Sequence, residues 1–268
     1  MALNKYLLGI SKAKKGKGFS SSGLDDSGLL VRYYLDEAAS GTTPSVASDD
    51  SGIGAAMNMN IDWGNPDASW TEISNNRGLD FYNTEHNAIA EADINDTSDK
   101  VRDAIEGGKT CTLEFRGQID EGSSSVGRVF GIRSSTEEEG IVMLLTAGAP
   151  VMTGYIRWRD NDAMTFTLPN TLHTWHIVFD SSEASLSDRI TIYQDGIEYT
   201  TGRSEGSMPS LDETLQMSAS ASIVLMNRPD LARWVQGTAY YAAIYSDPFT
   251  AQRCADHHTI IAADDDTP

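Results

Sequence analysis

The chain has 268 residues, of which 40% are hydrophobic, and it carries a formal net charge of −19, with 39 acidic against 20 basic side chains. This composition allows a packed core and excludes a chain that is disordered throughout. No run of 18 apolar residues is present, which excludes a membrane-spanning helix. A strongly acidic body repels nucleic acid and anionic membranes, so neither is an expected partner.

Residues 1–27 form a basic N-terminal arm in which the sign of the charge is reversed. No acidic residue precedes Asp25, and five lysines lie in the arm: Lys5, Lys12, Lys14, Lys15 and Lys17. Lysines follow the short apolar patch where a secretory signal would have small residues, so we expect the segment to be retained. We expect this arm to anchor the chain to a protein partner in an oligomeric assembly; the alternative is a solvated, flexible tail.

The next elements are short strands. Residues 28–35 predict a buried strand, residues 78–82 predict a second strand, and residues 110–119 alternate regularly. In that third run Cys111, Leu113 and Phe115 share one face, while threonine, glutamate and arginine occupy the other. The pattern predicts a strand with one buried face and one face in water.

The remaining elements include one short helix, a hairpin and many more strands. Residues 99–105 predict a helical turn that ends at two glycines, and Asp195-Gly196 predicts a two-residue type I′ hairpin. Residues 250–258 predict a final helical turn before an acidic tail at 263–268. Further strands are predicted at 126–132, 141–145, 155–159, 164–168, 176–179, 189–193, 197–200, 222–226 and 239–245. Together they predict an all-β, two-sheet antiparallel sandwich, a jelly roll formed by residues 28–262.

Cysteine and histidine do not form a recognisable chemical motif. Cys111 and Cys254 are far apart, which favours two buried thiols over a single bridge, although a bridge stays open. His257 and His258 are adjacent, so their side chains diverge, and we expect a surface pair rather than a metal site.

Several motifs, in order along the chain, resemble the concanavalin A-like lectin/glucanase superfamily in its laminin-G-like branch. The run LLVRYYLDE at 29–37 is similar to the family's opening strand, and DDSGIG at 49–54 is similar to its D-x-S-G-N-G loop. WHIVFD at 175–180, IYQDG at 192–196 and the run at 237–245 resemble its W-H, Y-x-D-G and last-strand motifs. The resemblance implies a sandwich fold and says little about the ligand.

The resemblance also bears on metal binding and catalysis. It implies that Asp49 and Asp50 could supply oxygens to a structural calcium, although Tyr240 stands where many relatives have an acidic residue; the alternative is an ordinary turn. Glucanase relatives carry carboxylates at alternate positions of one strand, and this pattern is missing here. We therefore expect no catalytic residues and no hydrolase dyad.

Glycan binding requires an exposed aromatic face beside hydrogen-bonding side chains. The sequence offers two groups of candidates, near residues 155–159 and 227–234; the alternative for both tryptophans is packing in the core or at a sheet edge. The candidates are Tyr155, Arg157, Trp158, Arg159, Asn227, Arg233 and Trp234.

Three functions are consistent with the sequence. The first is a non-enzymatic structural component of a large assembly, most plausibly a phage or virus particle, where it would serve as a decoration, spike, fibre or tail protein located in the virion. The second is a carbohydrate-binding module for host or environmental glycans. The third is a polysaccharide hydrolase or lyase, which the missing dyad disfavours.

Overall fold

A computed structural model describes residues 23–36, 44–64, 78–81, 87–94, 100–123, 126–133, 139–146, 152–159 and 161–263. The basic arm predicted as an anchor lies almost wholly outside these ranges, and its five lysines are all outside them. The strands are β1 (Leu29–Tyr33), β2 (Val46–Ala47), β3 (Met59–Asp62), β4 (Leu79–Asp80), β5 (Ile89–Asp93), β6 (Thr110–Gly122), β7 (Gly127–Arg133), β8 (Gly140–Thr146), β9 (Met152–Trp158), β10 (Asn161–Leu168), β11 (His173–Asp180), β12 (Ile190–Gln194), β13 (Ile197–Glu198), β14 (Ser204–Glu205), β15 (Ser222–Leu225) and β16 (Val235–Tyr245). The helices are α1 (Lys100–Ile105) and α2 (Ala251–Ala262).

The strands form two antiparallel sheets, which confirms the predicted all-β sandwich. The seven-stranded sheet has the order β1-β16-β6-β11-β12-β13, with β4 also paired to β16. The nine-stranded sheet has the order β14-β10-β9-β8-β7-β15-β5-β3-β2. Apolar side chains from both sheets fill one continuous core between them. The inward face of β6 is the one that its alternation predicts, since Cys111, Leu113 and Phe115 all lie in this core.

The predicted short elements are also present. Asp195 and Gly196 have φ angles of 52° and 78°, and the flanking residues pair across the turn as a two-residue hairpin requires. The helical turn predicted before the glycines is α1, which buries Val101 and Ile105. No helix in the described ranges is long and apolar enough to cross a membrane.

The outer face of the seven-stranded sheet differs from the prediction. β6 was expected to expose its polar side, yet Thr112 and Glu114 are fully buried there. The cause is α2, which is longer than the predicted turn and packs over this face through a second apolar cluster that includes Cys254 and Ile261. The expectation of a wet outer face was therefore wrong.

Both cysteines are buried free thiols. Cys111 lies in the core between the sheets, whereas Cys254 lies in the cluster beneath α2, on the other side of the seven-stranded sheet. The sheet between them keeps the two sulfurs apart, so the alternative of a bridge is wrong. Burial raises the pKa of both thiols well above the ordinary cysteine value, which keeps them protonated and unreactive.

Candidate functional site

The outer face of the nine-stranded sheet carries a pocket lined by arginine. Its volume is about 210 Å³, and its polar lining consists of five of the chain's thirteen arginines. These residues come from three places in the sequence, namely β7, β9 and the loop between β15 and β16. They are Arg128, Arg133, Arg157, Arg228 and Arg233.

A β-bulge places two of these arginines on the same face. Arg128 and Arg133 are five positions apart, so a regular strand would point them to opposite faces. The pairing of β7 with β8 shifts register between Arg128 and Phe130, which adds one residue to β7 at this point. Both arginines then point outward and line the pocket, while Phe130 and Ile132 stay in the core.

Cross-strand pairing brings two predicted glycan-binding candidates to this face. Tyr155 pairs with Leu144, which in turn pairs with Arg128, so the three side chains form one outward row across β9, β8 and β7. Arg157 lies two residues further along β9 and lines the pocket itself. Tyr155 is half-buried, and its hydroxyl lies 3.3 Å from Oγ1 of Thr146.

The loop between β15 and β16 supplies Arg228 and Arg233 and is held by Asn227. The Oδ1 atom of Asn227 accepts hydrogen bonds from the backbone N–H of Arg228 at 2.8 Å and of Arg233 at 3.1 Å. Its Nδ2 donates to the carbonyl of Ala88 at 3.2 Å. Asn227 is fully buried, so it positions the loop and does not itself reach a ligand, contrary to the expectation from sequence.

The pocket is electropositive, and the charged form of Arg128 is disfavoured there. Burial, followed by the nearby charges of Arg133 and Arg228, lowers the pKa of Arg128 to about 9. Asp230 forms a bidentate ion pair with Arg228 at the exposed rim of the pocket. Arg128 is 6% exposed, and its Nη1 has no hydrogen-bond partner in the described part of the chain.

The other candidates near residues 158 and 234 have different surroundings. Trp158 is 3% exposed and packs on Phe179 inside the sandwich, so the alternative of core packing is correct and its ring is not a sugar platform. Arg159 covers the Trp158 ring at 4.7 Å and pairs with Glu213 at 2.6 Å. Trp234 is half-buried beside the arginine loop, and its role in binding stays a prediction.

The predicted calcium loop holds an ammonium group instead. Nζ of Lys100 lies 2.5 Å from Oδ2 of Asp49, 3.2 Å from Oγ of Ser51 and 2.6 Å from the carbonyl oxygen of Ile53. Asp49 also accepts backbone hydrogen bonds from residues 32, 51 and 57. Lys100 thus already supplies the positive charge that these oxygens would offer to a metal ion, and Asp50 points to solvent. This contact was not predicted from the sequence, because Lys100 is distant from the loop along the chain.

A second cluster of titratable side chains lies buried under α2. Oε1 of Glu114 is 2.9 Å from both His176 Nε2 and His257 Nδ1, while Oε2 accepts hydrogen bonds from the hydroxyls of Tyr241 and Tyr245. Burial alone would raise the pKa of Glu114, but the two histidine hydrogen bonds outweigh it and hold the pKa well below the usual range. The cluster ties α2 to the sheet and is closed to substrate.

His257 is therefore not part of a surface pair. Its ring is 1% exposed, and Nε2 accepts the backbone N–H of Asp25 at 3.1 Å, which fixes the start of the described chain to α2. The neighbouring His258 is half-buried and contacts Thr174. Among the described residues no group of three or more potential metal ligands occurs.

A pocket of opposite charge lies on the other sheet. It has a volume of about 380 Å³ and is bordered by β11, β12 and the residues that precede α2. Its four carboxylates belong to Asp180, Glu183, Asp188 and Glu198. Three of them have local partners. Asp180 accepts hydrogen bonds from Ser182, Asp188 accepts one from Ser187, and Glu198 pairs with Arg203.

Solved structures share the fold at low sequence identity. Botulinum neurotoxin type C, whose cell entry is described as dependent upon interaction with two ganglioside molecules, matches with a TM-score of 0.57 at 10% identity over 90% of this chain and 53% of its own. Trypanosoma rangeli sialidase in complex with sialic acid matches with a TM-score of 0.55 at 12% identity over 90% and 34%. The binding domain of botulinum neurotoxin DC in complex with rat synaptotagmin II matches with a TM-score of 0.55 at 10% identity over 88% and 52%.

These matches establish the fold. The chain spans between about a third and a half of the solved chains that it resembles, and the feature that it shares with them is the β-sandwich fold. No family model matches the sequence, and no curated protein does. The narrower resemblance to the laminin-G-like branch stays a prediction.

Proposed function

We propose that this chain is a non-catalytic glycan-binding sandwich that holds its ligand on the outer face of the nine-stranded sheet. The observation that carries the proposal is the row formed by Tyr155, Leu144 and Arg128, which places a half-buried aromatic ring one strand away from a polar pocket. A sugar ring packs its C–H face on an aromatic plane while charged side chains bind its polar groups.

The similar structures support this proposal by analogy. One of them is described with gangliosides and another with sialic acid, and both share the sandwich. Because fold similarity alone does not transfer a ligand, the proposal depends on the residues of this chain. Two sequence candidates, Arg157 and Arg233, line the pocket, and Tyr155 pairs across the strands with Leu144 of its lining.

A glycan array with the purified chain tests the proposal, followed by isothermal titration calorimetry on any bound sugar. We expect Tyr155→Ala to weaken binding by about 10-fold, since aromatic stacking contributes roughly 1–1.5 kcal/mol. Tyr193→Ala is the matched control, because Tyr193 is also half-buried but lies on the other sheet. Absence of any glycan ligand, or equal losses in both variants, would refute the proposal.

The acidic pocket provides the site at which a hydrolase would be sought. Four carboxylates border it, and glycoside hydrolysis uses two carboxyl groups at a defined separation. Release of reducing sugar from an array-positive glycan, abolished by Asp180→Asn, would favour the enzyme over the binding module. We expect no release.

The basic arm supports a separate proposal, that the chain is a component of a larger particle such as a virion. Its basis is the concentration of lysine in residues 1–24, which contain no acidic residue and are opposite in charge to the rest of the chain. Deleting residues 1–24 should leave folding intact, as judged by circular dichroism, and should abolish incorporation into the native complex. Loss of folding, or continued incorporation, would contradict the anchor.

A further inference from the structure

We infer that the arginine pocket binds a single oxyanion, the sulfate or carboxylate group of an acidic glycan, with Arg128 at its base. This inference rests on the proposed function and specifies the class of sugar. It is carried by five converging arginines, a cavity of matching size and a buried guanidinium nitrogen that lacks a partner.

Arg128 provides the strongest argument. A buried guanidinium normally has an ion pair and a full set of hydrogen bonds, because the desolvation of an unpaired charge is costly. Only 6% of Arg128 is exposed, and the residue lines the cavity. Its Nη1 is buried and has no protein acceptor in the described residues. An anion in the cavity would supply that acceptor.

The neighbouring arginines also favour the binding of an anion. Arg233 borders the cavity, and its backbone carbonyl accepts the N–H of Arg128 at 2.9 Å, which holds the two residues side by side. Arg228, at the rim, pairs with Asp230. Guanidinium groups bind planar carboxylates and sulfates through paired hydrogen bonds, which an ammonium group cannot reproduce.

The size and the floor of the cavity restrict the ligand further. A volume of about 210 Å³ is below the roughly 300 Å³ of pockets for drug-sized ligands, so it accommodates one charged group with part of one ring. Leu144 and Val126 give the cavity apolar walls, which suit the C–H face of a sugar. Tyr155 extends this surface by one strand.

A polyanion with a charged backbone fits less well. Nucleic acid binding requires a basic stripe that contacts many successive phosphates, whereas the five arginines here cluster around one cavity of a chain whose net charge is −19. An isolated acidic substituent on an otherwise neutral glycan avoids this repulsion. The occupant we choose is therefore an acidic sugar, and an oligonucleotide serves as the competing ligand in the test.

The test measures binding of three probes to the whole chain by calorimetry, at constant ionic strength balanced with chloride. The probes are sodium sulfate, a sulfated or carboxylated sugar together with its neutral parent, and a single-stranded oligonucleotide. We expect the acidic sugar to bind at least 10-fold more tightly than its neutral parent. We expect Arg128→Met to weaken both sulfate and the acidic sugar by about 10-fold to 100-fold, as loss of a charged hydrogen bond predicts.

Two further variants complete the design. Arg233→Ala, at the half-exposed rim, should also weaken the acidic sugar and provides an independent reading if Arg128→Met fails to fold. Arg203→Met is the control, because it removes the same charge at a distant place where Glu198 and Glu205 already pair with the arginine. It should leave all affinities unchanged.

The outcomes separate this inference from the proposed function. If neutral and acidic sugars bind equally and Arg128→Met has no effect, the oxyanion site is wrong while glycan binding stands. If sulfate binds in an Arg128-dependent way and no sugar binds, the anion site stands and glycan binding fails. Preferential, Arg128-dependent binding of the oligonucleotide would overturn the choice of an acidic sugar.

Discussion

The substitution Arg128→Met should make the protein more stable while it removes the anion site. Burial and neighbouring cations lower the pKa of Arg128 to about 9, so keeping it charged at pH 7 costs free energy of folding. One pKa unit corresponds to about 1.4 kcal/mol, which sets an upper limit of ~5 kcal/mol. Solvent in the open cavity screens the repulsion, and we expect Arg128→Met to raise the free energy of unfolding by about 1–3 kcal/mol.

The pH dependence has a defined sign. The unfolded chain holds the Arg128 proton to a higher pH than the folded chain does, so the wild type gains stability as the pH rises through about 9. The advantage of Arg128→Met should therefore be largest near pH 7 and should shrink between pH 8 and 10. Other groups that titrate in this range are common to both proteins and cancel in the difference.

Urea unfolding of both proteins at pH 7 and pH 10, without sulfate, measures these free energies. Arg203→Met is the control, and since two glutamates already compensate Arg203, it should be neutral or destabilising at both pH values. A wild type that is more stable than Arg128→Met at pH 7 would refute the reasoning, because Arg128 would then have a compensating partner.

Three other substitutions give distinct results. Asn227→Ala should lower the free energy of unfolding by about 1–3 kcal/mol, because buried groups lose their partners, and should weaken sulfate binding in the same calorimetric assay. Lys100→Met leaves Asp49 buried without a cation and should cost about 3 kcal/mol in urea unfolding, whereas EDTA should not change the melting temperature of the wild type. Glu114→Gln should destabilise the protein by about 3 kcal/mol at pH 7. Because the pKa of Glu114 is lowered by folding, that difference should fade as the pH drops below about 4, and a constant difference in acid unfolding experiments would contradict this.

The sequence predicts the sandwich well because its signals are local. Alternation identifies the inward face of β6, and Asp195-Gly196 identifies a hairpin, since each depends on residues that are adjacent in the chain. The burial of Glu114 was not predicted, because α2, which covers it, is about 140 residues away along the chain. The same limit applies to Lys100, which enters the loop of Asp49 from a different element.

Arg157 and Arg233, two of the glycan-binding candidates from the sequence, line the pocket, and their role in binding stays a prediction. Arg128, which also lines it, was not singled out from the sequence. An arginine inside the apolar run of β7 was a signal that could have been used, because a charged residue at a buried strand position needs an explanation. The bulge that turns Arg128 and Arg133 to one side leaves no clear trace in the sequence, since it depends on pairing with β8.

The two pockets of opposite sign on opposite outer faces give the molecule a preferred direction of approach. Within a Debye length, about 8 Å at physiological ionic strength and longer at low salt, a surface rich in acidic sugars repels the overall negative charge of the protein. At closer range the acidic sugars attract the face that carries the arginine pocket and repel the face that carries the carboxylate pocket. Attachment should therefore be strongest at intermediate salt, where the long-range repulsion is screened and the short-range contacts survive.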